Sequence, residues 1–178
     1  MKTVQPLILT ARIADPDLEP FHSLRQQHFP ADRNFLSAHL TMFHRLPGEY
    51  VEQIAGSLDE IAAEQMRFCA EVPGVRHLGA GVAFVIKSSE LQDVYARLRS
   101  RFMPWLGGQD LQTWKPHITI QNKVSRKQAD ALHRRLSEDF RPSKIEVTGV
   151  DLWRYLGGPW QHERSATFEN ADRGYLSW

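Results

Sequence analysis

The sequence predicts a mixed helix and strand domain, folded as two similar lobes that face each other across a cleft. Three observations predict it. A string of His, an apolar residue, Thr and another apolar residue occurs twice, as His39-Leu40-Thr41-Met42 and His117-Ile118-Thr119-Ile120. The stretch "EVPGV" at 71–75 is echoed by "EVTGV" at 146–150, at nearly the spacing that separates the two His-Thr strings. The order strand, helix, His-Thr strand, helix, strand runs through the chain twice. Repetition inside matching element orders points to an internal duplication, and two copies are too few for a solenoid. The expected arrangement is therefore one two-lobed domain over residues 1–178, with repeats near 1–78 and 79–178 related by a pseudo-twofold axis.

The elements follow in order. "PLILTARI" is an apolar strand. "PDLEPFHSLRQQHF" is a helix, with Leu18, Phe21, Leu24 and Phe29 on one face. "SAHLTMFHRL" is the first His-Thr strand. After Pro47-Gly48, Val51, Ile54, Leu58 and Ile61 recur at helical spacing. "MRFCAEVPGVRHLG" reads as strand, and Cys69 within it as a buried structural thiol. The second pass opens with the strand "GVAFVIK" and a helix capped by Ser88 or Ser89. "KPHITIQNKV" is the second His-Thr strand. The next helix is capped by Ser125 and lays down Ala129, Leu132 and Leu136. "SKIEVTGVDLWRYLGG" and "PWQHERSATFEN" close the chain as strands.

Composition bounds the function. The chain has 178 residues, 42% apolar and 24% charged, with a net charge of +1. That length suits one domain with a sizeable core. The near-neutral balance argues against bulk, sequence-blind binding of long nucleic acid. Residues 123–144 are rich in Lys and Arg, read as a solvated helix face, with an RNA-tail landing strip as the sharper alternative. The single cysteine forbids an internal disulfide and suits a reducing cytoplasm. The opening apolar run is interrupted by Pro6, Arg12, Asp15 and Asp17, unlike a signal peptide. No stretch reaches the length of a membrane span. The expectation is a cytoplasmic monomer.

Strand alternation explains the repeated string. Residues two apart share a face, so His39 travels with Thr41, and His117 with Thr119. Leu40, Met42, Ile118 and Ile120 face the core behind them. A pseudo-twofold axis brings both polar pairs into one cleft. Imidazole titrates near neutral pH, so one histidine serves as base and the other as acid, while the hydroxyls donate to phosphate oxygens. A lone strand histidine is ordinarily structural; a matched pair, each followed by Thr, points to catalysis. No HExxH string or Cys/His cluster suggests a metal, and no cofactor is expected.

The paired "HLTM" and "HITI" resemble the two HxTx signatures of the two-histidine phosphoesterases. That superfamily contains the bacterial RNA 2′,3′-cyclic phosphodiesterases, often labelled 2′-5′ RNA ligases. The resemblance implies an α+β fold, with two antiparallel sheets lining a central cleft, helices outside and no required metal. It implies that His39 and His117 are the acid–base pair and that Thr41 and Thr119 hold the phosphate. It further implies that water opens a 2′,3′-cyclic phosphodiester on an RNA end or a small cyclic nucleotide, typically leaving a 2′-phosphate. A reverse ligation making a 2′-5′ linkage is the alternative, and a non-catalytic RNA-end or nucleotide-binding module is another.

In many relatives an Arg closely follows the second motif; here Gln121, Asn122 and Lys123 follow. Arg45 and Lys123 each lie six residues after a motif histidine, on the polar parity of an unbroken strand, and are the expected phosphate contacts. Phe43 shares the parity of His39 and is expected to wall the cleft, whereas His44 has the opposite parity. Phe35 is assigned to the core. Trp114, Trp153, Tyr155 and Trp160 are the candidates to stack a nucleobase. Loops 28–37 and 103–114 are expected to carry specificity.

Overall fold

The structure, a computed structural model, describes residue 3 and residues 5–169. The elements run β1 (Leu7–Ile13), α1 (Asp15–His28), β2 (Leu40–Leu46), α2 (Val51–Glu64), β3 (Phe68–His77), β4 (Val82–Lys87), α3 (Ser89–Phe102), β5 (His117–Gln121), α4 (Arg126–Glu138), β6 (Ser143–Tyr155) and β7 (Trp160–Thr167). Short 3₁₀ turns at Gly48–Tyr50, Met103–Trp105 and Gly108–Leu111 lead into or away from the strands. Asn170, at the end of the last expected strand, lies outside the described residues. None of the described helices is long and apolar enough to cross a membrane.

The helix boundaries follow local chemistry. Ser88 caps α3 by accepting a hydrogen bond from Leu91 N at 3.1 Å. Ser125 and Gln128 form a reciprocal capping box on α4. The apolar stripes are buried as their spacing requires: Ile54, Leu58 and Ile61 on α2, and Ala129 and Leu132 on α4. Leu18, Leu24, Val51 and Leu136 pack at the margin of the core. Phe35 does not join it. The side chain stands 65% exposed on the loop before β2, where no neighbouring element covers it. Cys69 is likewise exposed, because strand alternation buries its neighbour Ala70 instead.

The pairings between the described strands are antiparallel, and the hydrogen-bonded order is β2-β1-β6-β3-β4-β5, with β7 beside the outer half of β6. The two sheets anticipated by the sequence are the wings of this one sheet, β2-β1-β6-β7 and β3-β4-β5. They are joined where Phe68–Val72 of β3 meets Ser143–Val147 of β6. Each wing borrows its inner strand. β3 follows the first two strands in the chain but pairs with β4; β6 follows β5 but pairs with β1. The helices cross over as well: α1 packs against β5, while Tyr95 and Phe102 of α3 pack on Phe43 of β2. The ends of the path, β2 and β5, curl back alongside one another. Between them lies the cleft.

Gly81, just before β4, allows a close backbone approach to β5. A Cβ placed there would sit 1.9 Å from the carbonyl oxygen of Gln121. Gly81→Ala should therefore cost more than about 2 kcal/mol, against about 1 kcal/mol for removing the cap with Ser125→Ala. Urea denaturation of the two variants checks the ranking.

Candidate functional site

The two His-Thr strings are placed by matching backbone irregularities. In β2, Thr41 lies opposite Thr10 and Phe43 opposite Leu9, so Met42 is an extra residue. In β5, Thr119 lies opposite Ala83 and Gln121 opposite Val82, so Ile120 is extra. Each strand thus carries a bulge at the residue after its motif threonine. A bulge bends the strand and resets which residues face which side.

Upstream of the bulges, alternation holds. His39, Thr41, His117 and Thr119 all line one cleft of about 560 Å³, while Leu40, Met42, Ile118 and Ile120 are buried behind them. Downstream, the parity changes and several expectations change with it. Phe43 is turned into the core, 0% exposed, and does not wall the cleft. His44 lines the cleft instead. A second irregularity, between Phe43 and Leu46, carries Arg45 to a neighbouring pocket with Tyr50 and Trp105. Lys123 lies beyond the end of β5, in a left-handed turn with φ 62°, and is not among the cleft-lining residues. Arg45 and Lys123 are thus not cleft residues here, because the bulges break the alternation that would have put them there.

The imidazoles are held alike. His39 Nδ1 donates to the Ser37 carbonyl at 2.7 Å, and His117 Nδ1 donates to the Lys115 carbonyl at 2.7 Å. A carbonyl can only accept, so Nδ1 carries the proton and, in the neutral ring, Nε2 keeps its lone pair. Their electrostatics differ in degree. Burial pushes His39 down to about 4, helped by the charges of Arg25, His117 and His44 and opposed by the Ser37 carbonyl. Burial also lowers His117, helped by Arg76 and His44 and opposed by the Lys115 carbonyl.

Aromatic residues frame the cleft. Trp160 packs on His39 with ring centroids 4.7 Å apart. Trp114 lines the cleft, stacks on Tyr95 at 4.3 Å and donates from Nε1 to the Thr41 carbonyl at 3.0 Å. Tyr95 in turn stacks on Phe43 at 4.9 Å, so Phe43 supports the cleft wall from behind. Tyr155, at the end of β6, is not among the cleft-lining residues; its partner across the β6–β7 hairpin, Trp160, is. Trp153 packs behind Trp160, with ring centroids 6.2 Å apart. Loop 103–114 contributes Gln109, Asp110, Gln112 and Thr113 to the lining. The Asp110 carboxylate is buried and accepts from the backbone of His44 and Arg45, at 2.9 Å each, and from His44 Nδ1 at 3.1 Å.

Sequence reasoning missed two cleft residues of consequence, His44 and Arg76. Arg76 on β3 lies opposite Ala83, and Ala83 lies opposite Thr119. Facing neighbours in a sheet share a side, so Arg76 looks across a small residue toward Thr119. It makes no ion pair among the described residues. Nothing local marks it, since its place depends on β3 joining the far wing.

Residues 13–159 match the family model described as the 2′-5′ RNA ligase superfamily. No curated protein matches the chain. Several solved structures share its fold. One, described as a phosphoesterase, has a TM-score of 0.65 and 17% identity, covering 92% of this chain and 98% of its own. TT0787 of Thermus thermophilus has a TM-score of 0.66 at 14% identity, covering 93% and 99%. LigT of E. coli, complexed with 3′-AMP, has a TM-score of 0.62 at 17% identity, covering 92% and 98%.

The lowered His39 sets a pH dependence of stability. The unfolded chain takes up that proton near the ordinary 6.5, whereas the folded chain resists until about 4. Stability from this source is full above pH ~6.5 and is lost as pH falls toward 4, on the order of 3 kcal/mol. His39→Gln should flatten that slope in denaturant titrations between pH 7 and 4.

Proposed function

The chain belongs to the 2′-5′ RNA ligase superfamily, and from that premise we propose that its cleft hydrolyses a 2′,3′-cyclic phosphodiester on an RNA end or a small nucleotide. The family supports phosphoester chemistry on RNA-related substrates. One observation carries the reading furthest. Two imidazoles, each fixed through Nδ1 to a carbonyl two residues upstream, offer Nε2 to a single cleft that also holds two threonines.

The geometry suggests the steps. The cyclic phosphate sits between the imidazoles, with the Thr41 and Thr119 hydroxyls donating to its non-bridging oxygens. Arg76 meets the charge that the sequence assigned to Arg45 and Lys123. His39, the more strongly depressed of the two, takes a proton from water as the water oxygen bonds to phosphorus. His117 acts in the fraction of molecules in which its Nε2 is also protonated, and gives that proton to the ribose oxygen as its bond to phosphorus breaks. Placing both groups on one bound phosphodiester converts an encounter into an intramolecular step. Trp114, backed by Tyr95 and Phe43, offers a platform for a nucleobase. The binding of 3′-AMP, ATP and NADP+ by LigT supports a nucleotide as ligand.

Turnover of 2′,3′-cyclic mononucleotides and of a cyclic-ended RNA oligomer tests the proposal. His39→Ala and His117→Ala should each reduce kcat by ~10²–10⁴, and activity should survive excess chelator. Loss on chelation, restored only by added metal, rejects the metal-free mechanism. Binding without product supports the binding module, and net formation of 2′-5′ linkages supports the ligase. Arg76→Ala should weaken binding of inorganic phosphate about tenfold or more, read by calorimetry; unchanged affinity removes Arg76 from the phosphate site.

A further inference from the structure

The carbonyls of the two motif threonines reveal an asymmetry that the repeated sequence conceals. Each lies on a strand at one end of the sheet path, and each is satisfied by a side chain from the opposite half of the chain. Thr41 O accepts from Trp114 Nε1 at 3.0 Å, and Thr119 O accepts from Arg25 Nη1 at 3.1 Å. One suture is neutral and the other is a cation.

Arg25 is an unusual residue to find there. It lies on α1, 4% exposed, and among the described residues its guanidinium has no carboxylate partner. Burial lowers its pKa to about 10, so it stays charged at neutral pH. Burying an unpaired cation is costly unless hydrogen bonds compensate. Its bonds are specific: Nε donates to Asn34 Oδ1 at 3.0 Å and to the Leu36 carbonyl at 3.1 Å. The guanidinium also lies over the Phe29 ring, 4.1 Å from its centroid. Leu36 directly precedes Ser37, whose carbonyl orients His39. One planar group therefore ties the approach to the first motif to the backbone of the second. Lysine has no such fork.

We propose that Arg25 is a positioning residue that fixes the two His-Thr strands relative to each other and places its charge on the His39 side of the cleft, which selects His39 as the base. The inference rests on the acid–base reading of the cleft. The groups facing His39 are Arg25 from α1, His44 from β2 and His117 from β5, with Lys115, Arg76 and Asp110 lining the same cleft. Only Arg25 among the cations bears on His39 and not on His117. Its removal should therefore move one histidine and spare the other.

The test is an NMR titration of the imidazole nitrogens in the full chain, assigned with His39→Gln and His117→Gln. It needs no turnover, so it succeeds or fails independently of the proposed hydrolysis. In the unmodified protein His39 should titrate below His117; equal or reversed midpoints overturn the proposal, whatever the variants do. Arg25→Gln should raise the His39 midpoint by about half to one unit and leave His117 in place. It should also move the acidic limb of kcat/KM to higher pH by the same amount. Arg25→Lys, which keeps the charge and loses the fork, should leave His39 low while kcat falls about tenfold or more. A His39 midpoint unmoved in Arg25→Gln, moved together with His117, or moved equally by Arg25→Lys would overturn it.

Discussion

The antiparallel contact between β3 and β6 is the constraint on which the rest of the molecule depends. It spans five residues on each strand, Phe68–Val72 against Ser143–Val147, yet it makes one sheet of two wings. Because the wings meet there, their outer strands must turn back on the same side, and β2 and β5 arrive alongside one another. Every functional group follows from that arrival. Without the central contact, the two His-Thr strings would sit on separate surfaces and neither would amount to a site.

Within that frame, the sequence was informative wherever structure is local. Apolar spacing marked the helix faces of α2 and α4, serines marked the starts of α3 and α4, and alternation placed His39 with Thr41 and His117 with Thr119. It failed where one residue changed the phase. Met42 and Ile120 are extra residues in their ladders, and strand sequences do not announce a bulge. Counting six residues from each histidine therefore pointed to Arg45 and Lys123, when His44 was the side chain delivered to the cleft. Phe43 erred for the same reason in the opposite direction. Arg76 and Arg25 were invisible for another reason. Each reaches the site through a strand or helix whose packing partner lies far away in the chain, and no local pattern encodes that partnership.

The site joins symmetric geometry to asymmetric surroundings. Two bulges, two Nδ1–carbonyl bonds of equal length and two threonine carbonyls bonded from the opposite half of the chain repeat closely. The flanking groups do not repeat. Arg76 looks toward Thr119 across Ala83, while Asp151 occupies the corresponding row beyond Thr10 and Thr41. Trp160 covers His39 alone. Proton transfer in one direction needs two like groups in unlike states. A fold built from two similar wings obtains them by varying what surrounds the repeated motifs rather than the motifs themselves.

The borrowing of inner strands also bears on how the chain becomes a protein. A nascent chain ending at Gln121 already contains both His-Thr strings, yet β1 has only β2 beside it, and β3 only β4. The missing neighbour of both is β6, the second-to-last of the described strands. Pairings between β1 and β6 join residues near opposite ends of the chain, and such non-local closure is slow compared with helix formation. The first wing must wait with an open edge until β6 is made, and in that interval it is most vulnerable to pairing with the wrong strand. Loss of β7 and the outer half of β6 would therefore harm the first wing, far away in sequence, before it harmed the second.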